Sequence, residues 1–125
     1  MARTPKILVA EDDAVLQKLV KRALEGAGYG VEQAFNGLDL LKALTVATPD
    51  LIVLDAGLPD SDGRDLLGIL KRDHKTRGIP VLVWSGRDPK SERAIAIKLG
   101  AQDFVAKGSV MALLPQIQRI LSWKD

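Results

Sequence analysis

Apolar positions along this chain follow two rhythms. Short continuous apolar runs end in acids, Ser, Gly or Lys. Between them lie stretches in which apolar residues recur every third or fourth position. The first rhythm predicts strands covered on both faces, the second amphipathic helices. The central run is Leu51-Ile52-Val53-Leu54, closed by Asp55 and followed by Gly57-Leu58-Pro59. Asp55 is therefore predicted at the carboxyl edge of a central strand, where open α/β sheets bind ligands.

The remaining elements follow in order. Lys6 to Ala10 is a strand ending at Glu11-Asp12-Asp13. Leu16, Leu19, Val20, Ala23, Leu24 and Ala27 mark a helix, with Asp13 as its cap and Gly28 as its stop. Val31 to Ala34 is a weaker strand, expected near a sheet edge. Asn36 opens a second helix that turns Leu38, Leu41 and Leu44 inward and ends before Pro49. Asp62-Gly63 opens a third with Leu66, Leu67, Ile69 and Leu70, and Arg72 to Gly78 is a polar loop. Val81 to Trp84 is the fourth strand, ending at Ser85-Gly86. Asp88-Pro89 starts a fourth helix with Ala94, Ile95, Ile97 and Leu99 inward. Asp103 to Ala106 is the fifth strand, ending at Lys107-Gly108. Ser109 caps a last helix carrying Leu113, Leu114, Ile117, Ile120 and Leu121. Pro115 is awkward inside that helix and predicts a kink, or a start near Leu113. Five strand–helix units imply a parallel sheet with helices on both faces. Residues 1–125 are read as one domain without linkers or repeats.

Composition narrows the chemistry. A chain of 125 residues with 46% hydrophobic and 27% charged residues is ordinary for a globular domain, and aromatics at 4% leave the core to aliphatic side chains. With no cysteine there is neither a disulfide framework nor thiolate chemistry, which is compatible with the cytoplasm. No apolar run is long enough to cross a membrane. The net charge of +2 is too small to point to nucleic acid.

The strand ends carry the candidate chemistry: Glu11 and Asp12, Asp55, Ser85 and Lys107. Carboxylates crowded at one rim either repel or recruit a cation. Oxygen ligands without His or Cys favour Mg²⁺ over zinc, and such a site keeps positions for phosphate oxygens. Lys107 adds a charge suited to phosphate, Ser85 a hydroxyl, and an aspartate beside them can act as nucleophile toward phosphorus.

This constellation resembles the receiver domain of two-component response regulators, the CheY-like family, over essentially the whole chain. The resemblance rests on the acidic cluster after the first strand and on Asp55 with Gly57-Leu58-Pro59 and Asp62-Gly63. It rests also on Ser85-Gly86 and on Phe104 three residues before Lys107. It implies a flavodoxin-like (βα)5 doubly wound sheet with strand order 2-1-3-4-5. It implies Asp55 as phosphoacceptor, Asp12 as a direct Mg²⁺ ligand, Glu11 as its partner through water, and the Gly57 carbonyl as a further ligand. Ser85 is similar to the hydroxyl that meets the phosphoryl group, Phe104 to the aromatic switch, and Lys107 to the family's lysine. The donor implied is a sensor histidine kinase or phosphotransfer protein. The response implied is a change in the face formed by helix 4, strand 5 and helix 5, read by a downstream protein target or by a second copy in a homodimer. The chain departs from the family pattern at Gly108, where proline usually follows the lysine, and at Gly86, where alanine is commoner.

Other polar residues have plainer readings. Asp13, Asp60 and Asp62 are read as caps and turns, and His74 as a loop residue without ligand partners. Trp84 is expected to pack beside the site, and Trp123 to cover the core or mark a partner surface. Lys18, Lys21, Arg22, Lys71 and Arg72 are read as solvated helix faces. The alternative to a phosphoacceptor is a pseudo-receiver, an interaction module that works without phosphate. A flavodoxin-like cofactor binder would need a Ser/Thr/Gly-rich loop where this chain has three acids. An aspartyl-phosphate hydrolase would need a second acid and a cap domain, so the domain is read as a signalling module and not an enzyme. No direct nucleic-acid contact, membrane segment or output domain is expected from these residues.

Overall fold

A computed structural model describes residues 3–122. Its main sheet contains β1 (Lys6–Ala10), β2 (Gly30–Ala34), β3 (Leu51–Asp55), β4 (Val81–Ser85) and β5 (Asp103–Ala106). The strands run parallel in the order β2-β1-β3-β4-β5. The helices are α1 (Ala14–Gly26), α2 (Gly37–Val46), α3 (Gly63–Arg72), α4 (Pro89–Lys98) and α5 (Leu113–Ser122). This is the expected doubly wound (βα)5 sheet with order 2-1-3-4-5. One addition is a two-residue antiparallel ladder just after β3, pairing Gly57 with Asp62 and Leu58 with Ser61.

Successive β3 residues point to opposite faces, and both faces are covered. Ile52 and Leu54 join Leu40 of α2, Leu66, Leu67 and Leu70 of α3, and Phe104 in one buried cluster. Leu51 and Val53 join Val20 and Leu24 of α1 and Leu113, Ile117 and Ile120 of α5 in the other. Burial on both faces explains why β3 reads as an unbroken apolar run rather than an alternating one. β2 is one of the two edge strands, and only its last residue, Ala34, is fully buried.

The caps behave as the sequence suggests. Asp13 accepts from the Val15 and Leu16 N–H groups, Asn36 from Asp39, Asp62 from Arg64, and Asp88 from Lys90. Gly28, at φ +97°, ends the turn after α1. Ser109 caps a short 3-10 turn, Val110–Ala112, and α5 begins at Leu113. Pro115 thus falls in the first helical turn, where a missing N–H breaks no helical bond.

Three expectations about inward faces are corrected. In α1, Leu19 is 48% exposed and Gln17 is fully buried in its place. In α2, Leu38 points outward and Leu40 is the core residue, because leucines at 38, 40, 41 and 44 fit more than one helical phase. In α4, Ala94 and Ile97 are exposed and the fully buried contact is the small Ala96. The polar first half of α4 leaves it no continuous apolar stripe. Trp123 lies outside the described residues. No described helix is long and apolar enough to cross a membrane.

Candidate functional site

The site is built where β1 and β3 end side by side. Their register pairs Ala10 with Leu54, so the next residues, Glu11 and Asp55, emerge at one rim. Glu11 is held there by its own N–H, which donates to the Ala34 carbonyl at 2.9 Å. Carboxylate oxygens of Glu11, Asp12 and Asp55 lie within 4.8 Å of one another. Glu11 and Asp55 are buried and Asp12 is exposed.

Lys107 reaches this cluster from the far side of the sheet. Its backbone is fixed by the continuing β4–β5 ladder, where the Lys107 N–H donates to the Ser85 carbonyl at 2.7 Å. Gly108 therefore does not leave the lysine adrift. The Lys107 ammonium donates to Glu11 Oε1 at 2.5 Å and lies 3.3 Å from Asp55 Oδ2. It also sits 5.1 Å from the centre of the Trp84 ring, so Trp84 packs beside the site as expected.

The electrostatics follow from this crowding. Burial pushes the Glu11 carboxyl above its ordinary value, and the neighbouring Asp55 charge adds to the effect. The Asp13 N–H and Lys107 oppose it. Burial works against the Lys107 ammonium too, but the Glu11 hydrogen bond and the two carboxylate charges outweigh it and hold its pKa above the usual lysine value. With all three acids ionised, the cluster carries two more negative charges than Lys107 supplies. An all-oxygen donor set with that excess fits a hard divalent cation such as Mg²⁺.

The other expected residues are placed as follows. The Gly57 N–H donates to Asp55 Oδ1 at 3.0 Å, which fixes the carboxylate's orientation. Ser85 is buried, and its hydroxyl oxygen accepts from the Arg87 N–H at 3.1 Å, a bond within its own loop rather than one to the acidic cluster. Phe104 is buried in the core with Leu54 and Val83. Two residues that support the site escape a sequence reading. The Gln17 side-chain nitrogen reaches the carbonyls of Val9, Glu11 and Ala34 at 2.9, 3.1 and 2.9 Å, pinning the ends of β1 and β2. Its signal is a polar residue in phase with Val20 and Leu24 on the buried face. Asp60, read as a turn residue, instead caps α2 from a distance: its carboxylate accepts from the Gly37 and Leu38 N–H groups at 2.7 and 3.1 Å.

Known proteins resemble this arrangement. The chain is 34% identical over 97% of its length to the DNA-binding dual master transcriptional regulator RpaA of Synechocystis, covering 51% of that protein. It is 37% identical over 81% of its length to the KDP operon transcriptional regulatory protein KdpE of Escherichia coli, covering 44% of it. It thus spans about half the length of the curated relatives it matches. Among solved structures, the Francisella response regulator 1452 receiver domain superposes with a TM-score of 0.90 at 28% identity, covering 98% of this chain and 100% of that one. The receiver domain of a signal transduction histidine kinase from Syntrophus aciditrophicus gives 0.85 at 32% identity, covering 95% and 91%. The family model described as the response regulator receiver domain matches residues 7–118. With that match across nearly all of the CheY-like sheet, the chain belongs to the response regulator receiver domains of two-component systems.

Proposed function

We propose that residues 1–125 form a receiver that accepts a phosphoryl group on Asp55 from a phosphohistidine of a sensor histidine kinase or phosphotransfer protein. The observation that carries this reading is the Lys107 ammonium bridging Glu11 and Asp55 beside a third acid, Asp12. Glu11, Asp12, Asp55 and the Gly57 carbonyl would hold Mg²⁺. When bound, the ion supplies positive charge to phosphate oxygens and lowers the repulsion a phosphodianion meets at three carboxylates.

The chain's own residues do the rest. The Gly57 N–H restrains one Asp55 oxygen and Lys107 faces the other, so the carboxylate is oriented before the donor arrives. Asp55 attacks phosphorus in line. The new P–O bond forms as the P–N bond to the donor imidazole breaks, and the departing imidazole takes up a proton. Lys107 exchanges its contact with Asp55 for one with a phosphoryl oxygen. Ser85 releases the Arg87 N–H and turns its hydroxyl to the phosphoryl group, and Phe104 follows into the space left behind. That is a two-state switch biased by a covalent group.

The response face is formed by α4, β5 and α5, the surface for a downstream protein target or a second copy. Asp103 of β5 sits between Arg93 of α4 at 2.8 Å and Arg119 of α5 at 2.7 Å, so a shift in β5 reaches both helices. The test is intact-mass analysis after incubation with acetyl phosphate and Mg²⁺. One hydroxylamine-labile phosphoryl adduct is expected, absent without Mg²⁺ and absent in Asp55→Asn. An unmodified wild-type protein, or an adduct that survives Asp55→Asn, would contradict the reading and leave an interaction module without phosphate.

A further inference from the structure

We propose that Asp60 is a positioning residue for the Asp55 site. It latches the loop after β3 onto the first turn of α2 and so fixes Gly57. The proposal rests on the metal and phosphoryl reading of that site given above.

The loop between β3 and α3 carries Gly57, whose N–H holds Asp55 and whose carbonyl is the backbone ligand proposed for Mg²⁺. Its base is secured by the Gly63 N–H, which donates to the Ala56 carbonyl at 3.0 Å. Above the base there is only the two-residue ladder of Gly57–Leu58 against Ser61–Asp62. A two-stranded ribbon that short does not hold its own shape in water. The tip needs an outside anchor, and Asp60 supplies it.

The anchor has three parts. Both Asp60 carboxylate oxygens accept from α2, one from the Gly37 N–H at 2.7 Å and one from the Leu38 N–H at 3.1 Å. These are first-turn donors without a helical partner, at the end of the helix that favours negative charge. The helix already has a local cap, because Asn36 Oδ1 accepts from the Asp39 N–H at 2.8 Å. Asp60 thus adds a connection across the structure rather than the sole cap. Finally, a Cβ at Gly37 would lie 3.0 Å from Ser61 Cβ and 3.2 Å from Asp60 Oδ1, so the loop tip seats closely on the helix and glycine permits that approach. α2 is itself anchored in the core by Leu40. Only Leu58, in that ladder, and Pro59, in its turn, separate Asp60 from Gly57, so a loose tip lets Gly57 move relative to Asp55.

The test compares wild type, Asp60→Ala and Asn36→Ala. The last removes a cap bond from the same helix without touching the loop. Two readouts are taken below the melting temperature of all three: Mg²⁺ affinity from amide chemical shifts, and amide hydrogen exchange across residues 57–62. Loss of one cap bond amounts to about a fivefold change in an equilibrium. Asp60→Ala is expected to weaken Mg²⁺ about fivefold and to speed loop exchange by about as much. Asn36→Ala lowers stability but changes each by less than about twofold. Equal effects from the two variants, or an Asp60→Ala loop that exchanges like wild type, would overturn the latch. Wild type that fails to bind Mg²⁺ would overturn the site reading instead, and the exchange data would still decide the latch.

Discussion

Lys107 is the residue on which the site balances. Its ammonium neutralises one buried carboxylate and touches a second, with a quarter of its own side chain still exposed. Removing one partner of such a cluster strands the charge that remains. Lys107→Met is therefore expected to lower the unfolding free energy of the metal-free protein by about 1–2 kcal/mol, discounted for that exposure. Mg²⁺ should restore part of the loss, because it meets the same stranded carboxylates. Urea melts with and without Mg²⁺ check both points, and unchanged melts would mean the ion pair contributes nothing. Asp60 gives a pH prediction. Its hydrogen bonds to the Gly37 and Leu38 N–H groups hold its carboxyl below the ordinary value of 3.8. A depressed folded-state pKa stabilises above the unfolded value, and that contribution is lost as pH falls through the folded value. The melting-temperature difference between wild type and Asp60→Ala should be full at neutral pH and shrink as pH falls through about 3.8 toward the lower folded-state value. Glu11, Asp12, Asp55 and Lys107 were legible in the sequence because each follows an apolar run at a strand end. Gln17 and Asp60 were not. Gln17 looks like any polar helix residue until its phase is known, and the partner of Asp60 lies 23 residues away.

At the scale of elements, the strands were the most legible part, since runs such as Val81–Ser85 are buried along their whole length. Helix faces were less so. α4 docks through Ala96, a residue too small to stand out in a hydrophobic pattern, and α2 chooses Leu40 over Leu38 once its start is pinned. Helix ends carry two further predictions. At Gly63 a Cβ would lie 2.5 Å from Ala56 Cα and 2.8 Å from its carbonyl oxygen, both backbone atoms that cannot swing away. Gly63→Ala is expected to cost about 2–3 kcal/mol by overpacking and to push α3 from the loop that holds Gly57. Pro115 is the opposite case. It lies in the first turn of α5, so Pro115→Ala should change stability by less than about 1 kcal/mol. Chemical denaturation of both variants measures this, and a marked gain in stability in Pro115→Ala would mean that α5 begins earlier than Leu113 and holds Pro115 in its interior.

For the whole molecule, the parallel order β2-β1-β3-β4-β5 does one mechanical thing. It brings residues 96 positions apart, Glu11 and Lys107, into contact at 2.5 Å across the carboxyl rim of the sheet. The same order sets β5 beside β4, so Ser85, Phe104 and the Arg93–Asp103–Arg119 bridge lie on connected elements. On the reading proposed above, a group added at Asp55 would reach α4 and α5 through these connected elements. The most direct measurement is a titration of the full chain with beryllofluoride and Mg²⁺ followed by amide NMR. The account predicts saturable shifts at Asp12, Asp55, Gly57, Ser85 and Lys107, extending through Phe104 to Arg93 and Arg119, and abolished in Asp55→Asn. Spectra that stay unchanged on adding both components, or that change equally in Asp55→Asn, would contradict it.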